Sequence, residues 1–259
     1  MSGAKDLICP VAHRGLHDST RNIIENTESS VRAAIEAGYG IEVDIQPARG
    51  GAPVVFHDRR LHLLTEGEGA AEEYSVKEIK GFAMRGTSDR IMELDELLEV
   101  VGGRAPLLLE IKSDWRGKAA FEMAVAHSIT NYNGPIGFMS YDPVCVAAIG
   151  RHVPHIPRGL VAGSLRGRRS VPIPGFLKRW MLRNLLSSVV ARPDFIAYSI
   201  DALPHTAPII ANRLFGLPLF TWTVRTEAQK AKAEHWADAM IFEGFRPKIK
   251  IHGFKPQSL

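Results

Sequence analysis

Eight short apolar runs, separated by helix-patterned stretches, recur along the 259 residues and leave few ways for the chain to fold. They are Leu7–Ala12, Gly40–Ile45, Leu107–Ile111, Ile136–Met139, Pro157–Val161, Phe195–Ser199, Pro218–Val224 and Ala239–Phe242. Short continuous apolar runs rich in β-formers read as strands covered on both faces, which is the habit of parallel sheets. The intervening stretches Thr27–Ala37, Leu94–Val101, Arg116–Thr130 and Glu227–Trp236 read as helices; the first stops at Gly38 and the second at Gly102-Gly103. Eight strand-helix alternations in a chain of this length predict an α/β fold, a closed TIM (β/α)8 barrel. With 45% apolar residues and no Gly/Ser/Pro-rich linker, residues 1–259 are expected to form a single domain. Residues 46–86 break the rhythm as an insertion after the second strand, carrying an extra apolar run, Pro53–Phe56, that ends at His57-Asp58.

No apolar run reaches the ~18 residues of a membrane span, and the apolar start is broken by Pro10. Cys9 and Cys145 have no metal-ligand or disulfide-framework spacing and are expected to be buried small hydrophobes in a reducing compartment, so the cytoplasm is the expected location. The net charge of +4 does not mark a nucleic-acid binder, and no nucleic-acid partner is expected. Its distribution is uneven. Between Asp142 and Asp194 there is no acidic residue, while Arg158, Arg166, Arg168, Arg169, Lys178, Arg179 and Arg183 all fall there.

Loops after barrel strands collect on one face, where chemistry is usually done. His13-Arg14-Gly15 follows the first strand and puts an imidazole and a fixed cation on that face. Glu42-Val43-Asp44 lies on the second strand, where residues two apart point the same way, so both carboxylates converge while Ile41, Val43 and Ile45 face away. Glu110-Ile111-Lys112 repeats the geometry on the next barrel strand. Three inward carboxylates call for a hard divalent cation, Mg2+ or Ca2+, since no Cys or clustered His set accompanies them. A salt-bridge network of the same carboxylates with Arg14 and Lys112 would also satisfy them. Two cations beside such a metal site suit a phosphate anion.

In order and spacing, His13-Arg14-Gly15, Glu25-Asn26-Thr27, Glu42-x-Asp44, Val54-Val55-x-His57-Asp58-x-x-Leu61, Thr65-x-Gly67, Glu110-x-Lys112 and Trp222-Thr223-Val224 resemble the glycerophosphodiester phosphodiesterase family across nearly the whole chain. The resemblance implies that His13 and His57 are an acid/base pair, that Glu42, Asp44 and Glu110 bind the metal, and that Arg14 and Lys112 touch phosphate. It also implies that Trp222 forms an aromatic wall against the glycerol or its substituent; a buried core tryptophan is the other reading. The implied reaction is attack of the glycerol 2-hydroxyl on phosphorus, a cyclic phosphate, and its opening by water to glycerol 3-phosphate. A lysophospholipase D or another phospholipid-directed phosphodiesterase would use the same site, and a non-catalytic phosphate-sensing or membrane-associated barrel is the alternative outside enzymes. The chain departs from the family pattern at Ile24, at Met92-Glu93, at Leu63, and at Phe242-Glu243, where a Thr-Asp pair is usual.

Phe176–Leu186 can form a helix with Leu177, Trp180, Met181 and Leu185 on one side and Arg179 and Arg183 on the other, Leu182 and Leu186 blurring the division. One reading docks its apolar side on the barrel and leaves the arginines solvated. The other makes residues 158–183 a peripheral contact with an anionic membrane.

Overall fold

The protein is described by a computed structural model covering residues 3–163 and 175–249; Arg166, Arg168 and Arg169 lie outside the described residues. Its strands are β1 (Val11–Ala12), β2 (Gly40–Pro47), β3 (Pro53–Val55), β4 (Leu107–Ile111), β5 (Ile136–Ser140), β6 (Arg158–Ala162), β7 (Phe195–Ser199), β8 (Leu219–Val224) and β9 (Ala239–Phe242). Its helices are α1 (Glu28–Glu36), α2 (Val76–Gly81), α3 (Leu94–Val101), α4 (Ala119–Thr130), α5 (Pro143–His152), α6 (Phe176–Arg183), α7 (Ser188–Ala191), α8 (Thr206–Arg213) and α9 (Glu227–Trp236). The sheet order β1-β9-β8-β7-β6-β5-β4-β2 closes through a β1–β2 pairing, and those eight strands are parallel. β3 is the extra strand, antiparallel to β2 at its outer end.

Strand alternation divides the core into two layers. Ile41, Val43, Ile45, Leu107, Leu109 and Ile111 point outward to the helices, whose buried faces complete that layer; α3 contributes Leu94, Leu97, Leu98 and Val101 at helical spacing. Val11, Leu108, Met139, Val161, Ala197, Phe220 and Ile241 fill the barrel interior. The insertion has its own small core of Val54, Phe56, Leu61, Ile79, Met84 and Ile91. Thr65 and Gly67 are buried beside that small core. Thr65 Oγ1 donates to Leu61 O and accepts from Gly67 N, and a Cβ at Gly67 would press on the Phe82 ring.

Two expected elements differ. Leu7 does not open the first strand. Pro10 has a fixed φ and no N–H, so the ladder starts at Val11, and Leu7 ends a 3₁₀ turn, Ala4–Leu7, with its side chain fully buried in the barrel interior. On α6 the docked side chain is Leu182; Leu177 and Trp180, expected to face the barrel, are exposed together with Phe176. The helix stops at Arg183, and Leu185 reaches the core from a left-handed turn rather than from a continued helix face. Cys145 is buried as expected, whereas Cys9 is only partly so.

Candidate active site

Three neighbouring strands and one closing strand bring the singled-out residues to the C-terminal mouth. Ala12 pairs with Ile41 on one side and Phe242 on the other, so the next residue, His13, falls between Glu42 and Glu243. The main chain holds it there: His13 N donates to Phe242 O at 3.0 Å and Gly15 N to Glu42 O at 3.0 Å. Arg14 (φ 55°) and Gly15 (φ 76°) form a left-handed exit that packs against Ser30, with no room for a Cβ at Gly15. Asp44 pairs in register with Glu110, which joins the carboxylates of β2 and β4.

Glu42, Asp44 and Glu110 are buried with carboxylate oxygens within 4.8 Å of one another. Lys112 Nζ lies 2.5 Å from Asp44 and 2.6 Å from Glu110. Arg14 reaches Glu25 at 2.6 Å and Asp44 at 3.4 Å. Asn26, itself left-handed at φ 58°, reads Asp44 twice: Nδ2 donates to Oδ2 at 3.0 Å, and Oδ1 accepts from the Asp44 amide at 3.0 Å. The salt-bridge network is therefore present, but it does not balance, because four carboxylates face two fixed cations. Glu42 Oε1 is buried without a hydrogen-bond partner, and burial beside Asp44 and Glu110 pushes the Glu42 carboxyl well above its usual range. Burial also opposes the charge on Asp44, but Lys112, His57, Arg14 and His13 outweigh it and hold that carboxyl well below the usual range. An unsatisfied, oxygen-only, net-negative cluster fits a hard divalent cation.

Each histidine is held by a carboxylate. His13 Nδ1 is 2.9 Å from Glu243 Oε2, and since an ionised carboxylate only accepts, Nδ1 carries the proton and Nε2 faces Glu42 at 3.9 Å. Burial pushes the His13 imidazole down to about 4, against the opposing pull of Glu243, so the ring is neutral near pH 7 with an open lone pair toward the site. The hydrogen bond to His13, with Arg225 at 2.8 Å, takes Glu243 down to about 2. His57 follows β3 and is brought back to the mouth by Phe56 N donating to Asp44 O at 3.0 Å. Gln46 Nε2 donates to the carbonyls on either side of it, Phe56 at 2.7 Å and Asp58 at 2.9 Å, and His57 Nδ1 lies 3.1 Å from Asp58 Oδ1.

Beside Glu110 and Lys112 is a small, water-sized pocket lined by Ser113, Trp115 and Tyr141. Trp222, near the end of β8, is partly buried and meets Tyr141 edge-on, ring centroids 5.8 Å apart, at the rim of the interior core. Of the residues singled out in the sequence, His13, Arg14, Glu42, Asp44, Glu110 and Lys112 thus form one cluster. His57 stands beside Asp44, and Trp222 belongs to the aromatic edge of the mouth. Reading the sequence missed Glu243, Asn26 and Gln46 as partners of these groups; Glu243 was visible as a departure from the family pair, and Asn26 as part of a motif.

The glycerophosphoryl diester phosphodiesterase family profile matches residues 13–245, from His13 to just past Glu243. The chain belongs to that family. A glycerophosphodiester phosphodiesterase of Caldanaerobacter subterraneus subsp. tengcongensis is 26% identical over 242 residues, spanning 89% of this chain and 92% of the relative. Among solved structures, an Oleispira antarctica phosphodiesterase in complex with the product sn-glycerol-3-phosphate superposes with a TM-score of 0.76 at 20% identity, covering 93% of this chain and 95% of that one. A glycerophosphodiester phosphodiesterase from Agrobacterium tumefaciens gives 0.66 at 21% identity, covering 94% and 96%. Both share the fold. The glycerophosphodiester phosphodiesterase family thus accounts for the ordered motifs, and its match contains both residues of the His13–Glu243 pair.

Proposed function

We propose that this family member hydrolyses glycerophosphodiesters to glycerol 3-phosphate and an alcohol, using His13 and His57 for proton transfer and a divalent cation, Mg2+ or Ca2+, held by Glu42, Asp44 and Glu110. The observation that carries this is the pair of carboxylate-anchored imidazoles set against a buried, unbalanced three-carboxylate cluster at the barrel mouth. When bound, the cation would supply charge neutralisation at phosphorus and ease loss of a hydroxyl proton. One histidine takes the proton of the glycerol 2-hydroxyl as that oxygen bonds to phosphorus; the other gives a proton to the alcohol oxygen as its bond to phosphorus breaks. Water then opens the cyclic phosphate with the two roles exchanged, and glycerol 3-phosphate leaves. Arg14 and Lys112 offer fixed positive charge to the non-bridging oxygens, and the Trp222–Tyr141 edge gives the glycerol or its substituent an apolar wall. The product bound in the Oleispira antarctica neighbour supports this choice of product.

The test is to incubate the purified protein with Mg2+, Ca2+ or Mn2+ and glycerophosphocholine or glycerophosphoethanolamine, and to measure glycerol 3-phosphate. Release is expected with at least one cation. Folded protein that releases none with any of them would overturn this choice of substrate.

A further inference from the structure

We propose that α6 is a membrane-docking helix that sets the barrel mouth against an anionic lipid surface. The helix sits at the mouth: it lies between β6 and β7, and Lys178 Nζ stands 5.6 Å above the ring of Trp115, which lines the small pocket beside Lys112. Its only fully buried side chain is Leu182. At 3.6 residues per turn, Phe176, Leu177 and Trp180 fall on the arc opposite Leu182, and they are 77%, 65% and 49% exposed. The apolar side of the helix therefore points away from the described residues. A solvated barrel helix has the reverse pattern.

The surrounding charge selects the occupant. Exposed Arg179 and Arg183 flank the apolar arc on one side and half-buried Met181 on the other, while Lys178 lies nearer Leu182 and turns over Trp115. The whole stretch between Asp142 and Asp194 contains no carboxylate side chain. An aromatic and aliphatic arc with arginines along one border and no carboxylate on the helix is the composition of a helix lying in the headgroup layer of an anionic bilayer, where rings enter the acyl boundary and basic groups meet phosphates. A second exposed apolar pair, Leu214 and Phe215, lies after α8 and just before β8, which places it at the opposite end of the barrel from the mouth. Together with the phosphodiesterase reading, on which this consequence rests, docking through α6 makes a membrane-held lysophospholipid the substrate class, its headgroup entering along Trp115.

The experiment is vesicle flotation of the full chain at low and high salt, with zwitterionic vesicles and with vesicles containing phosphatidylglycerol. The variants are Phe176→Ser/Leu177→Ser/Trp180→Ser, Arg179→Gln/Arg183→Gln, and Leu214→Ser/Phe215→Ser. Wild type is expected to float with anionic vesicles at low salt, with binding falling ~10-fold or more in the first variant and losing much of its salt dependence in the second. The third is expected to bind as wild type, and all are expected to turn over soluble glycerophosphocholine equally. On lysophosphatidylcholine in anionic vesicles, only the first two should lose turnover. Wild type that ignores anionic vesicles at low salt, or an apolar-arc variant that floats unchanged, overturns the proposal. So does a lipid-free dimer, seen by light scattering, that the first variant dissociates, since a second copy then covers the face. Vesicle binding is read without turnover, so an inactive protein that still floats would sink the phosphodiesterase reading and leave the docking standing.

Discussion

Glu243 stands 230 positions from His13 in sequence and 2.9 Å from its ring in space, and only closure of the barrel through β1 and β9 brings them together. We expect Glu243→Gln to lower kcat by ~10-fold or more with KM little changed, and Glu243→Asp to recover part of the loss, because the carboxylate fixes which ring nitrogen faces substrate. Equal kcat in wild type and Glu243→Gln would show that His13 does not depend on it. The same group also makes stability depend on pH. Its carboxyl lies at about 2 when folded, below the ordinary value in the unfolded chain. Its contribution is therefore complete above the unfolded value and fades as pH falls through the folded one. Denaturant titrations between about pH 5 and pH 2 should show a shallower decline in Glu243→Gln than in wild type; parallel curves would contradict this. Glu42, Asp44, Glu110 and Lys112 were legible in the sequence because strand alternation fixes facing directly. Glu243, Asn26 and Gln46 were not, because each acts through a contact that depends on which strands or turns become neighbours.

At the level of elements, the helix that follows the His13 turn shows how local signals and the site meet. Thr27 caps α1, accepting from Ser30 N while its hydroxyl donates to Ile24 O at 2.7 Å, and Asn26 beside it grips Asp44. Thr27→Ala should cost about 1–2 kcal/mol, since it removes a cap and leaves buried backbone groups unsatisfied. Urea unfolding checks this, and a midpoint equal to wild type would contradict it. Elements with matching local and global signals, such as α3 and α9, appear with the bounds their patterns predict. Two elements did not follow their local patterns. Pro10 cuts β1 to two residues, and α6 buries Leu182 while turning Phe176, Leu177 and Trp180 outward. Apolar periodicity alone does not say whether the apolar side of a short helix meets protein or something else.

Across the whole molecule, a barrel interior that is apolar at Val11, Phe220 and Ile241 becomes ionic at its mouth, where buried carboxylates outnumber the fixed cations. A bound divalent cation should therefore stabilise the fold, by about 2.7 kcal/mol at 100 times its Kd, and raise Tm in a concentration-dependent way. Glu42→Gln or Asp44→Asn should weaken that rise, as measured by differential scanning calorimetry with and without Mg2+ or Ca2+; an unchanged rise in both variants would move the cation elsewhere. Among the described residues no helix is long and apolar enough to cross a membrane. Two histidines and a cation site are proposed to act together on a phosphodiester bond. The most direct measurement is phosphorus NMR of glycerophosphocholine mixed with wild type, His13→Ala and His57→Ala, each with its activating cation and again with excess EDTA. The glycerol 3-phosphate resonance is expected to grow for wild type with cation and not in EDTA, and to grow at least ~10²-fold more slowly for each histidine variant, folded to the same Tm. Undiminished growth in either variant, or in EDTA after confirmed removal of the cation, would contradict this.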